Sequence, residues 1–452
     1  MLCAMNNPRA TPNHPIDVSR LHFVGYVLIW LVYVVLVQQL YVRTDIRNFE
    51  TEGYITSMTI GEAWQFANRP IVVPMIYKAA QNYGVHIVRF QYLLSILAWT
   101  FLGLVVSRLV SHPLCRFAGF VLILAFSLCR EVYFWNSLLL SESLSHSFLI
   151  LLIGVCSWLV FGNLPMRTKR MAMVSTIVFG VIWGFTRDAN AYLLLVWGGG
   201  LAFWAGFSRA GGQRWMLVAA TIFIFGFVVQ YRHAELGKRW QLSYINILGE
   251  RILPDPSATS FFVAGGMPLN DEFTRYRNQR GWAFYPDHDM RMGLGTWLDE
   301  DGKQVYATYL ASRPVDTLLA PMLHWRSILA YQHRLSHLAR LYTSEDSPRW
   351  QRIVGAWVYA DWMVLPIVLL ASVGLMVLDF VRRRDDRYLM PTVLLASGYC
   401  LALVAWHSDA DSIERHAFQV GLLVRLSVWG IMLIFIDRRL ETTYKNEPHA
   451  AP

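Results

Sequence analysis

Long apolar runs alternate with short polar connections along this chain, and the runs have the roughly 20-residue length that a helix needs to cross about 30 Å of hydrocarbon. They fall at 21–42, 87–107, 116–130, 137–161, 171–186, 189–207, 214–231, 354–378, 388–406 and 417–436. The pattern predicts an all-α polytopic integral membrane protein with about ten transmembrane helices. The first run is too long for a secretory signal, and LVQQLYVRTDI after it has no small-residue cleavage pattern, so it is expected to be retained.

One polar stretch is large, 232–353. Pro256-Ser257 and Arg313-Pro314 read as helix starts within it, and the apolar spacing of PVDTLLAPMLHWRSILAY fits short amphipathic helices. A mostly helical subdomain is expected there. RPIVVPMIYKAAQNYG at 69–84 is too short and too interrupted by proline to span, and is expected to lie along the membrane surface. The GGG at 198–200 lies inside an apolar run, where close helix packing is expected of it.

Charge gives the orientation. Alternate connections carry Arg108 and Arg116; Arg167, Lys169 and Arg170; Arg209 and Arg214; and Arg382, Arg383, Arg384 and Arg387, with Arg438 and Arg439 after the last run. Cationic connections mark the cytoplasmic side, so both termini are expected inside. The organisation is then a cytoplasmic tail (1–20), a transmembrane module (21–231) with a first external loop (43–86), an extracytoplasmic subdomain (232–353), a second module (354–436) and a cytoplasmic tail (437–452). Only 16% of residues are charged and 55% are hydrophobic, against roughly 25% charged in soluble domains. The net charge of +9 falls between the apolar runs, where it signals topology, and nucleic-acid binding is not expected. The five cysteines show no CxxC spacing and define neither a zinc site nor a disulfide framework.

Ionisable groups beside lipid need a partner, a cavity or a function. Four outward connections hold them. TDIRNFETEGY (44–54) carries Asp45, Glu50 and Glu52, although a solvated loop has the same composition. SLLLSESLSHS (137–147) places Glu142 about one turn inside an apolar helix, as a packing residue among serines or as a functional carboxylate. GFTRDANAY (184–192) is a tight turn whose Arg187 and Asp188 either pair with each other or serve a site. WHSDADSIERHAF (406–418) puts Glu414, Arg415 and His416 before the last run; at a helix start two cationic side chains are unfavourable unless an anion sits there. His333 and His337 have the i, i+4 spacing of two ligands but no Glu-containing metal motif around them, Asp287, His288 and Asp289 read as a solvated turn after Pro286 or as a cation site, and no GxSxG or Cys/His arrangement points to a covalent nucleophile.

The acidic loop after the first run, the Ser-Glu-Ser of 141–143, the RDAN turn at 187–190 and the ERH at 414–416 before the last run together resemble bacterial polytopic glycosyltransferases of the GT-C superfamily. SDADSIERHAFQVGLLVRLSVW (408–429) is similar to their E-x-x-R-H or E-R-H segment, and RILPDPSATSFFVAGGMP (251–268) is also similar to bacterial membrane proteins of this type. The resemblance covers about 40–190 and 405–440. It implies an inner (plasma) membrane protein that moves a sugar from a polyprenyl-phosphate carrier to a glycan, glycolipid or protein acceptor on the non-cytoplasmic side. It also implies a catalytic carboxylate in the first external loop, in the family an Asp about four positions before a Tyr. Glu50 holds that spacing to Tyr54, with Glu in place of Asp; Asp45 is the alternative, with the right residue type at a poorer spacing.

The chemistry needs those residue types. A carboxylate, Glu50 or Asp45, takes the acceptor hydroxyl's proton, and fixed cations, Arg415, His416 and Arg187, hold the departing phosphate. Glu142, Asp188, Glu414 and Tyr54 are expected in support. Single displacement with inversion follows, with no cofactor required, although a divalent cation remains open. The rivals are a transporter or flippase of a lipid-linked saccharide and a non-catalytic envelope assembly protein.

Overall fold

The computed structural model describes residues 18–41, 54–55, 61, 69–162, 164–207, 213–269, 271–274, 276–279, 294–329, 348–359, 363–383, 385–411 and 413–446. The chain divides into two units, residues 1–41 and 42–452. In the first, α1 (Val18–Leu40) is a single apolar helix. In the second the long helices are α3 (Gly84–Leu109), α4 (Pro113–Leu128), α5 (Ser141–Phe161), α6 (Met166–Gly184), α7 (Asp188–Phe207), α8 (Gln213–Leu236), α13 (Leu365–Arg383), α14 (Leu389–Ser408) and α15 (Phe418–Asn446). Shorter helices are α2 (Val72–Ala79), α9 (Trp240–Ile247), α10 (Pro256–Ala264), α11 (Lys303–Ser312) and α12 (Pro314–Leu323). No strand occurs among the described residues.

Six helices of the described residues are long and apolar enough to cross a membrane, or seven if α4 and the short helical stretch 130–137, bent 59° from it, count as one span. Together with the composition this makes the chain a multi-pass membrane protein. Against the ten expected runs, 171–186 and 189–207 are helical too, as α6 and α7, while the apolar part of the 354–378 run is a shorter helix, Leu365–Val381. The first turns of α6 carry Arg167, Lys169 and Arg170, which lowers its apolar content.

Local chemistry sets the boundaries. α10 and α12 begin at Pro256 and Pro314, as expected, because proline at the first helical position gives up an N–H that has no intrahelical partner. Asp255 caps α10 by accepting from Ser257 N at 2.9 Å. α2 ends where Gln81 and Asn82 adopt the left-handed conformation, φ 58° and 55°. α2 is too short to span, as expected, and one face of it, Val73, Pro74 and Tyr77, is buried in protein. Only the first glycine of GGG makes the expected close approach: a Cβ on Gly198 would lie 2.8 Å from Ile224 Cγ1 on α8, whereas Gly199 and Gly200 have nothing within 4 Å.

Polar residues inside apolar helices serve breaks in neighbouring ones. Between 134–137 and α5 the backbone is extended at Leu138 and Leu140, and buried carbonyls without helical partners must be satisfied by other groups. Gln91 of α3 donates to Leu138 O (2.9 Å) and Tyr77 of α2 donates to Leu140 O (2.8 Å). Arg425, buried in α15, donates to Gly421 O (3.1 Å), to Leu329 O (3.2 Å) and to Tyr359 O, and its guanidinium lies over the Tyr359 ring. It thereby ties α15 to the short helical stretches 325–329 and 355–359.

α3 is about 39 Å long at 1.5 Å per residue. Past its Leu109 end, the N–H groups of Ser111 and His112 donate to the buried Asp437 carboxylate of α15 at 2.7 to 3.0 Å. Arg387 also binds Asp437 (2.7 Å), and Asp385 binds Arg387 (3.0 Å) and Arg438 (2.5 Å). Two arginines expected as topology signals are thus tied into ion pairs at this end. The described part of the 232–353 stretch is mostly helical, with turns between its helices, and an apolar core including Tyr244, Leu248, Phe262, Trp297 and Leu298 holds it together, with Ala410 in the same cluster.

Candidate active site

Three helices begin at the other end, near the start of α3. α5 opens at Ser141, α7 at Asp188, and α15 at Phe418 after a one-turn helix, Ile413–His416. The start of a helix carries partial positive charge on its unpaired N–H groups. Glu142 lies in the first turn of α5, nearer the helix start than the sequence suggests, because the helix begins at 141 and not at 137. Its carboxylate is fully buried. Arg415 Nε reaches Glu142 Oε1 at 2.5 Å, and Arg187 Nη2 lies 3.7 Å from the same oxygen. Ser141 Oγ donates to Glu142 Oε2 at 3.4 Å.

His416 joins this group on both sides of its ring. Nδ1 lies 3.3 Å from Arg187 Nη2 and Nε2 lies 3.5 Å from Asp409 Oδ2. Asp409 is itself held by three donors: Ser243 Oγ (2.8 Å), Asn246 Nδ2 (2.8 Å) and its near neighbour Asp411 N (2.9 Å). Burial pushes His416 below the ordinary histidine pKa; Asp409 opposes the shift, Arg187 and Arg415 add to it, and Glu142 opposes it weakly. The balance of these effects favours the neutral imidazole.

Arg187, Arg415, His416 and Glu142 therefore meet, although sequence separations of up to 274 residues divide them. Asp188 turns away: it binds Arg239 at 2.9 and 2.7 Å and Gln230 at 2.7 Å, so it does not pair with Arg187. Tyr54 OH donates to Ser141 Oγ at 3.3 Å, and the Arg69 guanidinium lies over the Tyr54 ring. Glu50 and Asp45 lie outside the described residues, and so does the side chain of Glu414.

Sequence reasoning missed the groups that orient the site. Asp409 lay in a segment singled out for its charges, yet Ser243 and Asn246 of α9 carry no signal that links them to it. Arg251 was equally silent: it donates to Asp409 O (3.1 Å) and to Trp406 O, and stacks over the Trp406 ring, whose plane is also stacked on His324. One turn below Glu142, Ser145 accepts from Asn190 (2.7 Å) and Gln419 (2.5 Å), which ties α5, α7 and α15 together. His146 packs edge-on against Phe418 at 3.9 Å between centroids.

Among the described residues no group of three or more His, Cys, Asp and Glu side chains is arranged to hold a metal ion. No family model and no curated protein matches this chain. Among solved structures, the archaeal oligosaccharyltransferase AglB from Archaeoglobus fulgidus, in complex with an inhibitory peptide and a dolichol-phosphate, aligns at 13% identity and a TM-score of 0.44. The alignment covers 97% of this chain and 53% of that one, so the chain spans about half the length of that protein.

Proposed function

We propose that this protein is a membrane glycosyltransferase of GT-C type that moves a sugar from a polyprenyl-phosphate carrier to a cell-envelope acceptor on the non-cytoplasmic side of the inner membrane. One observation carries the reading: two guanidiniums, Arg187 and Arg415, converge where three helices begin. Helix starts favour anions and disfavour cations, so arginines held there fit a site that receives an anion. Guanidinium binds phosphate oxygens through paired N–H groups and keeps its charge in any physiological medium. Glu142 holds both arginines until the phosphate arrives.

In this reading the acceptor hydroxyl attacks the anomeric carbon while a carboxylate takes its proton. The bond from that carbon to the phosphate oxygen breaks, and its electron pair stays on the phosphate, which leaves with one more negative charge. Arg187 and Arg415 stabilise that charge. The base is Glu50 or Asp45. Tyr54, four residues after Glu50, is anchored at Ser141 next to Glu142, and four residues of extended chain reach at most about 14 Å. Single displacement inverts the anomeric configuration. The sequence resemblance in the ERH segment supports the same assignment, because its Arg415 and His416 are the residues found in the cluster.

The test is turnover by purified protein in nanodiscs with a panel of polyprenyl-phosphate sugars and candidate acceptors. Acceptor-dependent release of carrier phosphate, abolished by Glu50→Gln or by Asp45→Asn, supports the reading and names the base. Movement of labelled lipid across the bilayer without sugar transfer would replace it with a flippase.

A further inference from the structure

The contacts of His416 fix more than its position. A guanidinium donates hydrogen bonds and accepts none, so Nδ1, 3.3 Å from Arg187 Nη2, presents its lone pair to that group. The ring proton of the neutral imidazole is therefore on Nε2, which faces Asp409 Oδ2 at 3.5 Å. Asp409 is fixed by Ser243, Asn246 and the Asp411 N–H, so the tautomer is set from outside the arginine cluster. The charged groups that act on His416 are Asp409, Arg187 and Glu142 from neighbouring segments and Arg415 from its own one-turn helix.

An anion drawn to Arg187 and Arg415 changes two things at once. It neutralises the cations that oppose protonation of His416, and it draws Arg187 away from Nδ1. We propose that binding of a phosphate monoester to Arg187 and Arg415 is coupled to uptake of one proton at His416 Nδ1, with Asp409 as the positioning residue that keeps Nε2–H in place. The inference rests on the glycosyltransferase reading for the identity of the anion. It gives the site a preference: the departing carrier phosphate, a monoester with two negative charges, is held with His416 protonated, whereas the intact donor, a diester with one charge, meets the neutral ring.

The linkage has a definite sign. His416 has a higher pKa in the anion-bound state, so phosphate binds more tightly at low pH and weakens as pH rises through the bound-state value, by up to about tenfold in Kd per pH unit for one proton. The experiment is calorimetric titration of the full-length protein in nanodiscs with farnesyl monophosphate at about pH 8. The second ionisation of the ligand, pKa about 6, is complete there. Two buffers of different ionisation enthalpy then report the protons taken up.

Wild type is expected to take up protons on binding, His416→Gln to bind more weakly with no uptake, and Asp409→Asn to show reduced uptake and a flatter pH profile. Nitrogen NMR of histidine-labelled wild type checks the tautomer without any variant, with Nε2–H expected in the free protein. Tight binding by wild type with no proton uptake, or an Nδ1–H tautomer, overturns the inference and leaves the glycosyltransferase reading standing. Failure of wild type to bind the phosphate overturns both.

Discussion

Glu142→Gln removes the carboxylate that both guanidiniums meet while keeping nearly the same shape. Glu142 is fully buried, with Arg415 at 2.5 Å and Arg187 at 3.7 Å. At an effective dielectric of about 20 the two attractions amount to roughly 6 to 7 and 4 to 5 kcal/mol before desolvation. The cost of burying three charges offsets most of that, and deletion of one member of a buried ion pair typically costs about 3 to 5 kcal/mol. The expected loss on Glu142→Gln is in that range, measured by chemical unfolding of the detergent-solubilised protein. The helix starts and the arginines remain, so an added anion takes the place of the carboxylate. Phosphate at a hundredfold excess over its Kd returns about 2.7 kcal/mol, and the variant is stabilised more by phosphate than wild type is. A loss below about 1 kcal/mol, or a variant no more responsive to phosphate than wild type, refutes the argument that these groups form one electrostatic unit.

Three further outcomes follow from the geometry. Asp188→Asn loosens the bond to Arg239, and with Asp188 38% exposed the loss in unfolding free energy is about 1 kcal/mol, with phosphate affinity unchanged; a collapse of phosphate binding would place Asp188 in the site. Gly198→Ala drives a Cβ into Ile224 and costs about 1 to 3 kcal/mol, while Gly200→Ala has open space and is neutral or slightly stabilising in the same unfolding assay. At the opposite end, burial alone raises the Asp385 carboxyl, but hydrogen bonds from Arg438 and Arg387 outweigh it and hold its pKa below the ordinary aspartate value. Its contribution is therefore full above the unfolded value of about 3.9 and lost as pH falls through the lower folded value, so Asp385→Asn flattens the acid limb of a stability profile.

The membrane class and the helical character of the polar stretch are legible in the sequence because both depend on local composition: apolar length, and proline at positions 256 and 314. Arg415 and His416 stand out as candidates for a related reason: basic side chains at the start of an apolar helix run against the local electrostatics, whereas the turn that holds Arg187 leaves its partner open. Partner choice was not legible. Nothing in the RDAN turn says that Arg187 faces Glu142 while its neighbour Asp188 binds Arg239, since successive residues around a helix start point in different directions and the partners come from distant elements. The same holds for Asp409, whose donors belong to α9, and for Gln91 and Tyr77, which read as stray polar residues until the carbonyls of Leu138 and Leu140 are seen to need them. The apolar run begins at 137 whereas α5 begins at 141, because Leu138, Leu139 and Leu140 are apolar and hydropathy does not distinguish buried extended backbone from helix.

The central claim is that the helix starts of α5, α7 and α15, with Arg187 and Arg415, form the seat of a carrier phosphate. Its most direct test is an electron cryo-microscopy structure of the protein in nanodiscs loaded with a polyprenyl monophosphate. The account predicts phosphate density within hydrogen-bonding distance of Arg187 and Arg415, with Glu142 drawn back from at least one of them. Phosphate density anywhere else, with the Glu142, Arg187 and Arg415 contacts unchanged, would contradict it.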